Sequence, residues 1–271
     1  MKSIGVIGLG VVGNAVKEGM EHAFEVKWND INKEGGISIF RMVQEVDGPI
    51  FVCVPTPTSN DGLSCDISIV EEVVREIHEA ARYSETTPAI AIKSTIPPGT
   101  TGRFSANYFL LDICFNPEFL TEKCPVEDFK SQDRIIIGQG RRENDKVSKC
   151  YGVAYPDVPQ IQCNSEQAEI VKYITNVHLA VKVALANEFK QICDSFGVKY
   201  HDAIQIATLD KRLGESHWQV PGPDGYYGFG GTCFPKDLKA LISVAFSKEV
   251  HPTVMLAALK KNDEVRGTNN A

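Results

Sequence analysis

The sequence has no long apolar run. A membrane-crossing helix needs about 18 uncharged apolar residues in succession, and no stretch approaches that, so no membrane span is expected. It has no surplus of positive charge: Lys and Arg number 28 against 35 Asp and Glu, a net charge of −7. Neutralising phosphates takes clustered excess cations, so no nucleic-acid partner is expected. It has no CxxC pair and no zinc-like Cys/His spacing. The eight cysteines, Cys53, Cys65, Cys114, Cys124, Cys150, Cys163, Cys193 and Cys233, are scattered, and no metal site is expected. The first residues, MKSIGVIGLGVVG, are too interrupted by glycine, and too short of a small-residue cleavage site, to read as a secretion signal. Reduced thiols and a cytoplasmic location are therefore expected. Internal repeats and low-complexity tracts are lacking too, which leaves ordinary globular domains. The composition agrees, with 43% hydrophobic and 23% charged residues. At about 150 residues per domain, the 271 residues make one large domain or two modest ones.

The first half alternates short β-branched runs with helical stretches. Ser3–Ile7 reads as a strand, Val11–Met20 as a helix and Phe24–Trp28 as a strand. Pro49–Val54, Ala89–Lys93, Leu110–Phe115 and Arg134–Gly138 are further apolar runs of strand length, and Ile67–Arg82 has helical periodicity. Strands apolar on both faces, alternating with helices, predict a parallel sheet covered by helices. The second half changes character. Asn164 and Gln167 have capping-box spacing ahead of apolar residues at Ile170, Ile174, Val177, Val181, Leu185, Phe189 and Ile192, with Gly197 as the stop. A helix of about 45 Å results, too long to hide in a small domain; it is expected to form a spine or a dimer seam. Shorter helices are predicted over Asp202–Leu209, Pro235–Ser247 and Pro252–Arg266. Periodicity breaks at Tyr155–Pro159, which puts a boundary near 155–164 and domains at 1–160 and 161–271.

Gly8, Gly10 and Gly13 form GLGVVG between a predicted strand and a predicted helix. Asp30 stands at the end of the next strand, where an acid accepts from a ribose 2′-hydroxyl. Gly8 allows the tight turn, Gly10 lets the backbone approach a pyrophosphate, and Gly13 lets helix pack on strand. The fold class is α/β: a Rossmann-type parallel-sheet domain, then an all-α domain built on one long helix. NAD is the expected cofactor, because a carboxylate at position 30 repels a 2′-phosphate.

The most unusual segment is GFGGTCFPKD, Gly228 to Asp237. Its glycines make a loop whose backbone can lie against a ligand, and Pro235 suits the first turn of a helix. Cys233 then precedes a helix start with Lys236 nearby, both of which favour the nucleophilic thiolate. On the long helix, Lys172 and Asn176 share a face, and Asn187 falls within about 60° of Lys172. Spacing alone favours a solvent-facing stripe, with a polar cleft as the alternative. Glu118 and Glu122, in Asn116-Pro117-Glu118-Phe119-Leu120-Thr121-Glu122, are four apart. Spacing alone reads them as surface acids on a short helix; shared acid–base work is the alternative. The six histidines show no partner spacing and are read as surface or satisfied core residues.

In this order, the segments closely resemble the UDP-glucose/GDP-mannose dehydrogenase family over nearly the whole chain, Lys2 to about Arg266. GLGVVG (Gly8, Gly10, Val11, Val12, Gly13) and Asp30 look like its NAD motif. Val54-Pro55-Thr56-Pro57-Thr58 and the segment from Lys93 through Thr95 to Thr100 resemble two further cofactor-side loops. NPEFLTE resembles its substrate loop, with Thr121 where the family usually has Arg. Ala168-Glu169-Ile170-Val171-Lys172 through Asn176 resembles its central helix, and GFGGTCFPKD is its most specific signature.

The resemblance implies a four-electron oxidation of a nucleotide-sugar C6 alcohol to the carboxylate, UDP-glucose to UDP-glucuronate, with two NAD+ reduced. Cys233 would carry the thiohemiacetal and thioester. Lys172 and Asn176 would stabilise the oxyanion, and Asp237 would hold Lys172 or a water. Glu122 and Thr95 would position a water and also touch the cofactor, as would Pro55 and Thr56. Glu118, Phe119 and Leu120 would form a substrate wall. Arg212 would reach the sugar nucleotide of a neighbouring subunit, and the loop from Trp218 to Tyr227, with Gly230, would lie along the phosphates. A homodimer through the helix over 165–196 is implied. Family members normally continue into a third domain after the helix that contains Asn262; the sequence stops at Ala271, so contacts to the nucleotide base are expected to be missing. Two other readings compete. One is a two-domain hydroxyacid dehydrogenase making one hydride transfer with Lys172; it needs no thiol, so Cys233 discriminates. The other is a lapsed NAD-binding dimer, which predicts decayed site residues.

Overall fold

The computed structural model describes residues 1–60, 62–121, 123–141 and 145–267. The chain divides into two compact units, Met1–Pro57 with Asp66–Lys172, and Thr58–Cys65 with Tyr173–Ala271.

The first unit is an α/β sheet unit. In chain order it runs β1 (Ser3–Ile7), α1 (Val11–Met20), β2 (Glu25–Asn29), α2 (Ile39–Glu45), β3 (Ile50–Val52), α3 (Ser68–Ala81), β4 (Ala89–Ile92), α4 (Thr100–Asn107), β5 (Asp112–Phe115), α5 (Pro125–Lys130), β6 (Ile135–Gln139), α6 (Asp145–Ala154) and β7 (Gln160–Asn164). Among the described residues the strands form one sheet in the order β2-β1-β3-β4-β5-β6-β7. Alternate residues of each strand feed opposite faces. Ile50, Val52, Ile90, Ile92, Ile113 and Phe115 pack with Met42, Val74, Ile77 and Phe104 on one side. Ile4, Val6, Phe51, Ala91, Cys114 and Ile137 pack with Val16, Met20, Phe129 and Tyr151 on the other. Strands covered on both faces are apolar at every position, which is why they read as continuous runs.

The sheet departs from the all-parallel expectation at one seam: β6 is antiparallel to β5, and β7 is parallel to β6. An apolar run looks the same in either direction, so the pattern holds no signal for this reversal. Strand β7 was not foreseen because, at the sheet edge, most of its side chains face solvent and no apolar run exists.

Helix α7 (Ser165–Ser195) starts on the predicted capping box: Gln167 N–H donates to Asn164 Oδ1 at 2.8 Å, and Asn164 N–H donates back to Gln167 Oε1 at 3.2 Å. It ends where Gly197 takes φ +67° and the N–H of Val198 donates to Cys193 O at 2.9 Å, a glycine stop. Its first two turns belong to the sheet unit. There the buried Glu169 caps α4, accepting from Gly99 N at 2.6 Å, Thr101 N at 2.8 Å and Thr101 Oγ1 at 2.6 Å.

The second unit holds the rest of α7, α8 (Tyr200–Ala207), a 3-10 turn at Lys211–Leu213, α9 (Phe234–Ser247) and α10 (Thr253–Gly267). Its core joins Val177, Ala180 and Ala184 of α7 to Phe229, Leu238, Ile242 and Ala258. Among the described residues, no helix is long and apolar enough to cross a membrane.

Candidate active site

Two sets of predicted residues are assembled, one in each unit. In the sheet unit, Gly8 closes the β1–α1 turn at φ +87°. A Cβ on Gly13 would stand 1.8 Å from Gly8 O, so helix and strand approach as closely as glycine allows. Gly10 is different: it is the exposed N-cap of α1, and no atom lies within 4 Å of where its Cβ would be. The N–H groups of the first turn, from Val11 onward, have no acceptor within the helix. Asp30 faces this turn, accepting from Leu9 N at 2.6 Å and from Asn32 N at 2.8 Å. Lys33, which the motif did not flag, donates to Leu9 O at 2.8 Å, so both sides of that residue's backbone are gripped. Pro55 is exposed and Thr56 buried in the segment after β3, and Thr95 is half-buried in the segment after β4.

The acid of the NPEF segment is not a surface group, with only 10% of its side chain exposed, and residues 116–121 are not helical. Glu118 Oε1 accepts from Lys172 Nζ at 2.7 Å, Lys172 donates also to Glu118 O at 2.6 Å, and Glu118 Oε2 takes the N–H of Leu120 at 2.8 Å. Burial pushes the Glu118 carboxyl up, but the charge and hydrogen bond of Lys172, the Leu120 N–H and the charge of Lys93 together hold it below its usual value. Phe119 lies beside the pair, with the Lys172 ammonium 5.5 Å from its ring centroid and the Arg134 guanidinium 4.7 Å away. Glu122 lies outside the described residues.

Lys93, at the end of β4, is the residue that motif spacing undervalued. Its ammonium is buried and donates to Asn116 Oδ1 at 3.0 Å, Asn116 O at 3.3 Å and Tyr151 OH at 3.4 Å. Tyr151 OH donates to the same Asn116 Oδ1 at 2.6 Å, and Asn116 Nδ2 donates to Ile136 O at 2.7 Å. Loss of hydration lowers the Lys93 ammonium to about 8, against the opposing pull of Cys53 and Glu118. A charged residue directly after a fully apolar strand run was the available signal.

In the helical unit, Cys233 is the half-buried N-cap of α9, and its carbonyl accepts the N–H of Asp237 at 2.9 Å. Pro235 sits in the first turn, as expected. Asp237 is buried and its carboxylate is doubly held: Asn176 Nδ2 donates to Oδ2 at 2.6 Å, and Lys236 Nζ to Oδ1 at 2.7 Å. The Lys236 charge is thus committed to Asp237. Lys172, Asn176 and Asn187 are all buried, which reverses the solvent-facing reading of their spacing. Arg212 lies on the 3-10 turn with 89% of its side chain exposed, paired with Asp210 at 2.5 Å. Tyr227 is exposed and Gly230 half-buried in the glycine segment. Among the described residues, the buried atoms His78 Nε2 and His217 Nδ1 have no hydrogen-bond partner; His78 is buried and His217 half-buried.

Residues 37–153 match the NAD binding domain of the UDP-glucose/GDP-mannose dehydrogenase family, and residues 166–264 match its central domain. The UDP-glucose 6-dehydrogenase of Rickettsia conorii is 32% identical over 219 residues, which are 79% of this chain and 49% of that protein. The GDP-mannose 6-dehydrogenase of Pseudomonas aeruginosa is 32% identical over 228 residues, 79% of this chain and 50% of that protein. The chain therefore spans about half the length of the curated relatives it matches. A solved UDP-glucose dehydrogenase from the archaeon Pyrobaculum islandicum superposes with a TM-score of 0.86 at 30% identity, over 97% of this chain and 68% of that one. With two family domains matched in sequence order and the fold shared along almost its whole length, the chain belongs to the UDP-glucose/GDP-mannose dehydrogenase family.

Proposed function

We propose that this chain oxidises the C6 alcohol of a nucleotide sugar to the carboxylate, UDP-glucose to UDP-glucuronate, with NAD+ as oxidant and Cys233 as nucleophile. The observation that carries the reading is Cys233 at the start of α9, one turn from a buried Asp237 whose carboxylate holds Asn176 and Lys236. The glycine turn fits a dinucleotide. The space beside Gly10 is open for a diphosphate, α1 offers unpaired N–H groups to it, and each Asp30 oxygen keeps a lone pair for a ribose hydroxyl. When bound, NAD+ takes up the hydride released in each of the two oxidations.

The chain's own residues supply the rest. Once C6 has lost its first hydride and the C6 hydroxyl its proton to solvent, Cys233 Sγ bonds to the aldehyde carbon and the thiol proton ends on the carbonyl oxygen, giving a thiohemiacetal. Loss of the second hydride and of the hydroxyl proton leaves a thioester. Water then adds, the C–S bond breaks, and the acid departs with the thiol restored. Lys172 carries three N–H groups, of which two go to Glu118; the third is available to the developing oxyanion, as is the second N–H of Asn176. Asp237 orients Asn176, Glu118 fixes Lys172, and Thr95 and Glu122 hold the hydrolytic water. Counting NADH per acid from UDP-glucose tests the scheme: the expected ratio is two to one. A ratio of one to one with an aldehyde or keto product instead favours a single-hydride hydroxyacid dehydrogenase.

Asp30→Ala is expected to weaken NAD+ binding about tenfold, because a charge-assisted hydrogen bond is lost, while NADP+ binding weakens less or improves. Equal loss for both cofactors in a fluorescence titration removes Asp30 from the ribose. The reading includes a homodimer along α7, supported by Ile174, Leu185 and Ile192, which are 56%, 40% and 53% exposed on an otherwise apolar stripe. Light scattering of the chain at the mass of two copies is the expected result; a monomer at micromolar concentration excludes the seam.

A further inference from the structure

Two buried asparagines outside the proposed chemistry act on the segment that carries Cys233. Asn187 of α7 and Asn262 of α10 are 2% and 5% exposed. Neither spends its carbonyl oxygen on its own helix. Asn187 Oδ1 accepts from Gly228 N at 3.1 Å, and Asn262 Oδ1 accepts from Phe229 N at 2.7 Å. Asn187 Nδ2 donates to Val183 O at 2.8 Å, which fixes which end of that amide faces the loop. The bonded residues are consecutive, and the backbone they hold is unusual. Gly228 has φ +72°, and a Cβ there would lie 2.4 Å from Asn262 Oδ1 and 2.9 Å from Val265 Cγ2. Phe229 drives its ring into the core beside Leu238 and Val177. Arg266 adds a third tie, donating to Tyr227 O at 3.3 Å and to Asp224 Oδ2 at 2.8 Å. Its guanidinium stands 2.4 Å from where a Cβ on Gly230 would be.

Burying an amide among Leu, Ile and Val costs free energy unless its polar atoms are bonded. Here both carbonyl oxygens are satisfied by loop N–H groups and not by a helix or strand ladder, so what those two bonds fix is the course of that loop. The loop then runs through Gly230, Gly231 and Thr232 to the α9 N-cap. An error of one ångström at a nucleophile costs orders of magnitude in rate, and a glycine-rich approach cannot hold such a position by its own backbone preferences.

We propose that Asn187 and Asn262 are positioning residues: together they clamp the backbone at Gly228 and Phe229 and so hold the Cys233 sulfur at the start of α9. The proposal rests on the reading of Cys233 as the nucleophile, and its test has a readout that does not depend on turnover. Alkylation of Cys233 by iodoacetamide is followed by peptide mass spectrometry in the full-length chain at neutral pH, with Cys124 and Cys163 as internal controls. In Asn262→Leu, Cys233 alkylation is expected to slow about fivefold or more, because the sulfur drifts from the helix start that favours its thiolate. The two control cysteines keep their rates. Asn262→Asp retains an oxygen acceptor for the Phe229 N–H, and is expected to stay within about twofold of the parent. Should Asn262→Leu fail to unfold cooperatively, Gly228→Ala pushes the same loop off Asn262 and is read in the same assay. With UDP-glucose as substrate, the Leu variant should lower kcat about tenfold while leaving KM for NAD+ unchanged. Cys233 rates in Asn262→Leu and Gly228→Ala that equal or exceed the parent's overturn the clamp. Slowed alkylation in a chain whose parent reduces no NAD+ with any nucleotide sugar keeps the clamp and overturns the oxidoreductase reading.

Discussion

Cys233→Ser is expected to lower four-electron turnover by about a thousandfold or more, with NAD+ affinity within about twofold of the parent. At neutral pH a hydroxyl is almost wholly protonated, whereas a thiol at a helix start is the side chain best suited to capture a carbonyl. Without capture, the aldehyde faces water or diffuses away, and the hydride count per substrate falls from two toward one. The proposed cofactor turn at Gly8 to Gly13 belongs to the other unit. Binding and turnover should therefore separate. The measurement is NADH formed per acid, beside an NAD+ titration of the same variant. Undiminished two-to-one turnover by Cys233→Ser removes the sulfur from the reaction and the proposed scheme with it.

Much of this was legible because function and folding use different residue types. Glycine at 8, 10 and 13 followed by an acid at 30 is a pattern whose mechanics can be stated before any fold is known. The apolar strands declared themselves because both of their faces are covered. The capping box at Asn164 and Gln167 and the stop at Gly197 marked the long helix nearly to the residue. What stayed hidden depends on neighbours distant in sequence. Spacing put Lys172 and Asn176 on one side of a helix but could not say that the side was inward. The burial of Lys172 is offset by Glu118, 54 positions away, and that of Asn176 by Asp237, 61 positions away. Helical spacing misread the Glu118 segment because Pro117 and the Glu118–Leu120 bond shape it locally. Asn187 was visible as a polar residue on an apolar helix, yet its partner is a backbone N–H, which no side-chain pattern reveals. The reversal of β6 left no trace for the same reason: direction in a sheet belongs to the ladder, not to the side chains.

Lys93→Met is expected to make the protein more stable near neutral pH, by an amount that shrinks as the pH rises. The ammonium of Lys93 is buried, and its partners are the neutral oxygens of Asn116 and Tyr151. Its folded value of about 8 lies below the roughly 10.4 of an unfolded lysine. Below pH 8 both states carry the proton, and the cost of burying the charge is present in full. Between about 8 and about 10.4 the folded chain releases the proton while the unfolded chain keeps it, so the parent regains stability across that window, roughly 3 kcal/mol in all. A methionine of similar length carries no such cost at any pH. It forfeits three Lys93 hydrogen bonds, two of them long, a loss of about 1–2 kcal/mol in all, but Asn116 Oδ1 keeps Tyr151 and Asn116 Nδ2 keeps Ile136.

The other groups facing Lys93 are Cys53, Cys114, Glu118 and Lys172. Burial pushes both thiols up to about 12. Unfolded thiols ionise near 8.5, so these two destabilise the fold as pH rises. They do so in parent and variant alike, and the difference between the two proteins isolates Lys93. Urea unfolding of both at intervals from about pH 7 to about pH 10 gives that difference. A gap that stays constant over the window shows that Lys93 does not titrate there. The charge also roots Asn116, the first residue of the segment that carries Glu118, and helps keep Glu118 ionised. The Met variant should therefore gain stability and lose kcat together, the trade expected where a fold accepts a buried charge to hold its chemistry in place.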